Sequence, residues 1–118
     1  MAKNRPSLRA PRTKAFKKQQ GRCYYCDLPM WISDAKIFSQ RYKLTLKQAE
    51  QFKCTGEHLT AFHAEGASNQ SNIVAACHYC NAKRHARKEE LSPKTYKKKV
   101  QKRVRAGKWN AGLLLSAH

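Results

Sequence analysis

Apolar positions fall into a few short runs separated by long polar stretches. In 45–53 (TLKQAEQFK), Leu46, Ala49 and Phe52 recur at helical spacing, and Thr45 with Gln48 fits a capping box. The pattern predicts a short amphipathic helix whose apolar stripe lies in the core. Thr55–Leu59 and Asn72–Ala76 read as two short strands joined by a loop holding Gly66, Ser68, Asn69 and Ser71, which predicts a β-hairpin. A polar helical pattern runs from Asn81 to Glu90, and Ser92–Pro93 ends it and opens another helix over 93–106. There Tyr96, Val100 and Val104 form the stripe, basic residues fill the remaining faces, and Gly107 is the stop.

Upstream, residues 21–32 (GRCYYCDLPMWI) read as a cysteine knuckle turned by Gly21 and Pro29. Residues 1–20 hold Lys3, Arg5, Arg9, Arg12, Lys14, Lys17 and Lys18 with Pro6 and Pro11, a self-repelling composition that predicts a disordered basic arm. No repeat and no long linker divides the chain. The expected organisation is a basic arm (1–20), one small α+β domain with a hairpin-plus-helix core (21–91), and a basic C-terminal helix and tail (92–118).

Charge narrows the partners. Twenty-five Lys and Arg against seven Asp and Glu give +18, far beyond the ~2–8 that solubility needs, so a polyanion is the expected partner. Lipid binding would call for a long amphipathic helix or a lipid anchor, and no lipidation motif is present. The run Leu113–Leu115 is far short of the ~20 apolar residues of a membrane span. Without a secretory h-region the expectation is a cytoplasmic protein, although the acid-free first twenty residues also fit a transit peptide.

A chain of 118 residues buries little apolar surface and calls for a staple. Cys23-x-x-Cys26 and Cys77-x-x-Cys80 supply four thiolates at the spacing of a tetrahedral zinc site, which would tie the knuckle to the helix after the hairpin. Such a closed site leaves no position for water and is structural. Buried thiols or two disulfides are the alternatives. Cys54 has no spaced partner and reads as a small buried hydrophobe; His78, inside the second pair, reads as exposed.

Between the cysteine pairs lie Glu57-His58, Gly66, Asn72 and Cys77-x-x-Cys80-Asn81, in that order. This resembles the HNH endonuclease motif: an acid and a His on a first strand, a Gly-containing loop, an Asn opening a second strand, and Cys-x-x-Cys-His/Asn entering a helix. The resemblance covers residues 23–88 and implies a ββα-metal core that hydrolyses phosphodiester bonds of nucleic acid, with double-stranded DNA as the expected partner. It implies His58 as general base, Asn72 as the brace of the hairpin loop, and Glu57 with Asn81 as ligands of Mg2+ or another divalent cation. The chemistry is suitable, since His titrates near neutral pH and two hard oxygens are what Mg2+ often takes from protein. Two departures stand out: Glu57 replaces the more usual Asp, and Asn81 sits where the family name has His.

The bland alternatives are Glu57 as a solvated strand residue, Asn81 as a helix cap and Asn72 as a plain turn residue. His63 and His85 flank the motif and could contact phosphate or the ion. Lys83, Arg84, Arg87 and Lys88 on the helix, with Lys97, Lys98 and Lys99 on the next, are the expected phosphate contacts. A non-catalytic zinc module that binds nucleic acid and a basic scaffold protein are the rival functions.

Overall fold

The computed structural model describes residues 7–60 and 70–115. Among the described residues, six helices flank a two-stranded sheet: α1 (Arg9–Lys18), α2 (Ala35–Tyr42), α3 (Leu46–Glu50), β1 (Cys54–His58), β2 (Ile73–Cys77), α4 (His78–His85), α5 (Pro93–Arg105) and α6 (Ala111–Leu115). A 3-10 turn at Gln70–Asn72 leads into β2. Residues 61–69 hold His63 and most of the expected loop, including Gly66, and lie outside the described residues.

The strands pair antiparallel from Cys54↔Cys77 to His58↔Ile73, so β2 runs directly into α4. This is the small α+β hairpin-plus-helix core. Local chemistry fixes the ends. Thr45 and Gln48 form the reciprocal capping box, Asp34 caps α2, and the Ser92 hydroxyl accepts from Thr95 N–H at 3.2 Å beside Pro93. Gly107 takes φ +73 and turns the chain after α5.

The hairpin is covered on both faces. Gly56 faces α1, where a Cβ would come within 3.1 Å of the Leu8 Cβ. Thr55 and Glu57 face α4, reaching Asn81 and His85. The outer edge of β2 is covered too: the Gln19 side chain accepts from Ala75 N–H at 2.9 Å and donates to Ala75 O at 2.8 Å, and Tyr24 N–H donates to Ala75 O. The main core joins Tyr25, the hairpin, Tyr96 and Val100; a smaller one gathers Phe38, Ala49 and Phe52 beneath Trp31.

Four expectations need correction. The arm expected to be disordered is helical over Arg9–Lys18, because Ala15 and Phe16 dock on the sheet and Gln19 substitutes for a strand edge. Of the expected stripe, Ala49 in α3 and Phe52 just beyond it are buried, while Leu46 is 51 % exposed. The helix expected from Asn81 begins at His78, since the Cys77 sulfur caps it by accepting from Cys80 N–H, and it ends at His85, leaving Arg87 and Lys88 beyond it. Finally, α2 had no expected counterpart.

Candidate metal centres and active site

At the junction of β2 and α4 the Sγ atoms of Cys23, Cys26, Cys77 and Cys80 lie within 4.8 Å of one another, all buried. Four sulfurs at ~2.3 Å from one ion would stand ~3.8 Å apart, and Cys26 Sγ and Cys77 Sγ are 3.9 Å apart. The knuckle is bent to this purpose: Cys23 N–H donates to Leu28 O, Asp27 takes φ +61, and Tyr25 N–H points at Cys23 Sγ. The cluster is compatible with a structural zinc ion. Burial pushes the Cys23 thiol up, yet hydrogen bonds from the other sulfurs outweigh it and hold the group below its ordinary value. Hydrogen bonds to Cys23 and Cys26 hold Cys77 above its ordinary value, and burial does the same to Cys80. As four thiolates the set would require a cation among them.

Two side chains from the turn between α5 and α6 complete the sulfur shell. Trp109 Nε1–H donates to Cys80 Sγ at 3.3 Å, and the buried Asn110 Nδ2–H2 donates to Cys77 Sγ at 3.4 Å and Cys26 Sγ at 3.7 Å. Donors of this kind stabilise thiolate charge and orient ligands.

The second cluster lies between β1 and the C-terminal half of α4. Glu57 is 2 % exposed, its Oε1 3.0 Å from His85 Nε2 and its Oε2 3.4 Å from Arg84 Nη1. Oε2 has no hydrogen-bond partner among the described residues. Asn81, one turn before His85 on the same face of α4, donates from Nδ2 to the Thr55 hydroxyl at 2.9 Å. Donors at ~2.1 Å from an octahedral ion stand ~3.0 Å apart at right angles, which is the His85–Glu57 separation. His85, 61 % exposed in its side chain, stands at the mouth of this cluster, and Glu57 is buried behind it.

His58 is the last residue of β1, and the pleat turns its side chain to the face opposite Glu57. Immediately beyond it, Asn72 Nδ2–H2 donates to Thr60 O at 3.0 Å, Thr60 N–H donates to Asn72 Oδ1 at 2.8 Å, and Leu59 N–H donates to Asn72 O. One amide thus clamps the chain leaving His58 in both directions.

Arg84 does not lie on the exposed basic face with Lys83 and Arg87. It is buried and donates to the Tyr25 hydroxyl at 3.0 Å, His58 O at 3.3 Å and Leu91 O at 3.1 Å beside its ion pair with Glu57. Burial, then the Glu57 charge, push the Tyr25 hydroxyl up, so it stays protonated. Lys83, Arg87, Lys88, Lys98 and Lys99 are exposed, and Lys97 lies over the Tyr24 ring at 4.4 Å. Cys54 is buried outside the sulfur cluster and His78 is exposed. His85 carried one usable sequence signal, its four-residue spacing from Asn81; for Trp109 and Asn110 there was none.

A hairpin that runs into a helix, with a sulfur cluster at the junction and a carboxylate facing the helix, defines a ββα unit. Residues 46–87 match the family model described as HNH endonuclease, a match that suggests a nuclease or nucleic-acid-binding role. No curated protein and no solved structure matches the chain. Among the described residues no helix is long and apolar enough to cross a membrane.

Proposed function

We propose that the chain is a metal-dependent endonuclease that hydrolyses phosphodiester bonds of double-stranded DNA. The observation that carries this reading is the approach of His85 Nε2 to Glu57 Oε1, 3.0 Å, one turn from Asn81 and inside the HNH match. Glu57, His85 and Asn81 would hold a divalent cation of the Mg2+ or Mn2+ kind. Such a cation, when bound, supplies positive charge for the phosphorane and the leaving oxygen. His58 takes the proton of the attacking water, and the Asn72 clamp on Thr60 keeps the base at the end of β1. A scissile phosphate seated across that end is addressed from both sides, since His58 and Glu57 point to opposite faces.

Arg84, locked between Glu57 and Tyr25, holds the carboxylate in place. Lys83, Arg87, Lys88 and Lys97–Lys99 grip the phosphate backbone without reading bases. The catalytic unit spans 21–91 with the basic flanks as clamps, the four-thiolate site holds zinc, and reduced thiols suit a cytoplasmic setting.

The test is supercoiled plasmid incubated with the protein or its His58→Ala variant, with Mg2+ or Mn2+ and with EDTA. Metal-dependent nicking that is lost in the variant and in EDTA is the expected outcome. A second reading, a zinc-stapled module that binds nucleic acid without cutting it, is favoured by the Arg84–Glu57 ion pair, which already neutralises the carboxylate charge internally. Plasmid shifted by both proteins but nicked by neither would establish that reading instead.

A further inference from the structure

On the far flank of α4 lies a groove of about 360 Å³ between α4, α5 and the turn at Trp109. Four cations rim it, Lys83, Arg87, Lys99 and Arg103, and no carboxylate lines it. Its floor is aromatic: the Tyr79 and Trp109 rings meet edge to face, centroids 5.1 Å apart. Lys83 Nζ stands 5.4 Å from the Tyr79 ring centre and Arg103 Cζ 5.6 Å from that of Trp109, so each ring already receives a cation.

The floor is rigidly held. Trp109 Nε1–H is tied to Cys80 Sγ at 3.3 Å, and Trp109 takes φ +66, a left-handed conformation that bulky residues rarely adopt.

On α4, Tyr79 and Lys83 each lie two residues from Asn81, and Lys83 lies two from His85. At ~100° per residue a two-residue offset turns a side chain ~160° around the helix, to the opposite flank. The groove is therefore distinct from the proposed cutting site, with α4 as the wall between them.

A purely cationic groove would hold any polyanion. An aromatic floor inside a cationic rim suits an unpaired nucleotide: the base stacks on the rings while the cations take the phosphate, as in single-strand binding channels. A base pair within a duplex presents no free face, so intact duplex does not fill it.

We propose that this groove binds one unpaired nucleotide of a nucleic-acid strand, with its base against Tyr79 and Trp109 and its phosphate among Lys83, Arg87, Lys99 and Arg103. The proposal rests on the nucleic-acid reading of the chain and extends it to substrates with an unpaired or frayed segment beside the duplex that is cut.

The full-length, zinc-loaded chain with Trp31→Phe retains Trp109 as its one tryptophan, so its fluorescence reports the groove. Titration with an eight-residue oligothymidylate should quench it. Tyr79→Leu, which keeps an apolar side chain but removes the ring, should weaken that binding roughly ten-fold, because the stacking surface is lost. The same variant should leave duplex affinity and plasmid nicking unchanged.

Duplex binding and nicking without quenching by the oligonucleotide would overturn the groove while leaving the nuclease reading intact. So would equal quenching by inorganic phosphate or poly-glutamate. Quenching sensitive to Tyr79→Leu in a chain that never nicks would uphold the groove and remove the nuclease. Failure to bind any nucleic acid would overturn both.

Discussion

The helix α4 serves two clusters of opposite character. At its N-terminal end Cys77 and Cys80 join Cys23 and Cys26 in a set that is wholly buried, made of like ligands, and ringed by N–H donors from Trp109 and Asn110. Further along, His85 meets Glu57 and Asn81 meets Thr55, side chains of different chemistry, one of them open to water. A closed, uniform set can only hold; an open, mixed set can exchange waters and meet a substrate. Eight residues of helix carry both because their first turn faces the knuckle and their last faces β1.

The largest expected effect follows from the closed cluster. Structural zinc contributes ~10–16 kcal/mol in small zinc domains, as much as the whole ~5–15 kcal/mol stability of an ordinary one. Cys80→Ser should therefore abolish stoichiometric zinc, measured by elemental analysis, and most of the helical circular dichroism. A variant that stays helical without zinc would remove the staple from the comparison.

The open cluster should separate stability from activity. Glu57→Ala leaves the buried Arg84 without its counter-charge and should cost about 3–5 kcal/mol in denaturant unfolding. His85→Ala, at a mostly exposed side chain, should cost less than ~1 kcal/mol yet reduce nicking at least ten-fold. Equal losses of stability in both variants, with nicking intact in His85→Ala, would make the open cluster merely structural.

Much of this was legible in the sequence, for reasons that differ by residue. The doubled Cys-x-x-Cys spacing, the Thr45–Gln48 box and the Ser92–Pro93 start are local signals that tertiary context did not override. The strands fell one residue off, Cys54–His58 and Ile73–Cys77 in place of Thr55–Leu59 and Asn72–Ala76. Helix α1 was hidden because composition rules ask whether a segment can build its own core, whereas α1 borrows one through Ala15, Phe16 and Gln19. Arg84 looked like one more surface cation, because nothing local distinguishes a buried arginine from its exposed neighbours Lys83 and Arg87. Its counter-ion Glu57 and its acceptor Tyr25 are remote in sequence. Asn110 and Trp109 were illegible for the same reason: their partners are sulfurs about thirty or more residues away.

A smaller effect sharpens the closed side. Asn110→Ala removes the donor shared by Cys26 and Cys77. Loss of such an outer partner typically weakens metal binding ~10–100-fold, which chelator competition would read as a shift in apparent zinc affinity. An unshifted competition curve would show that Asn110 only fills space.

The smallest effect distinguishes the fifth sulfur from the other four. Cys54 pairs with Cys77 across the hairpin yet contributes no ligand to the cluster, and burial pushes its thiol up to about 11. Its neutral form is thus favoured by the fold. The sign follows: below pH ~9 the thiol is protonated in both states and stability is unaffected, and between pH ~9 and ~11 only the unfolded chain gives up the proton, so stability falls as pH rises. At pH 10 the loss should be ~1 kcal/mol. It should appear as the difference between the unfolding free energies of the parent and of Cys54→Ala, each measured at pH 8 and pH 10. If the difference does not change between those pH values, Cys54 already shares the charge of the cluster, and the boundary between ligand and packing sulfurs on this hairpin would have to be redrawn.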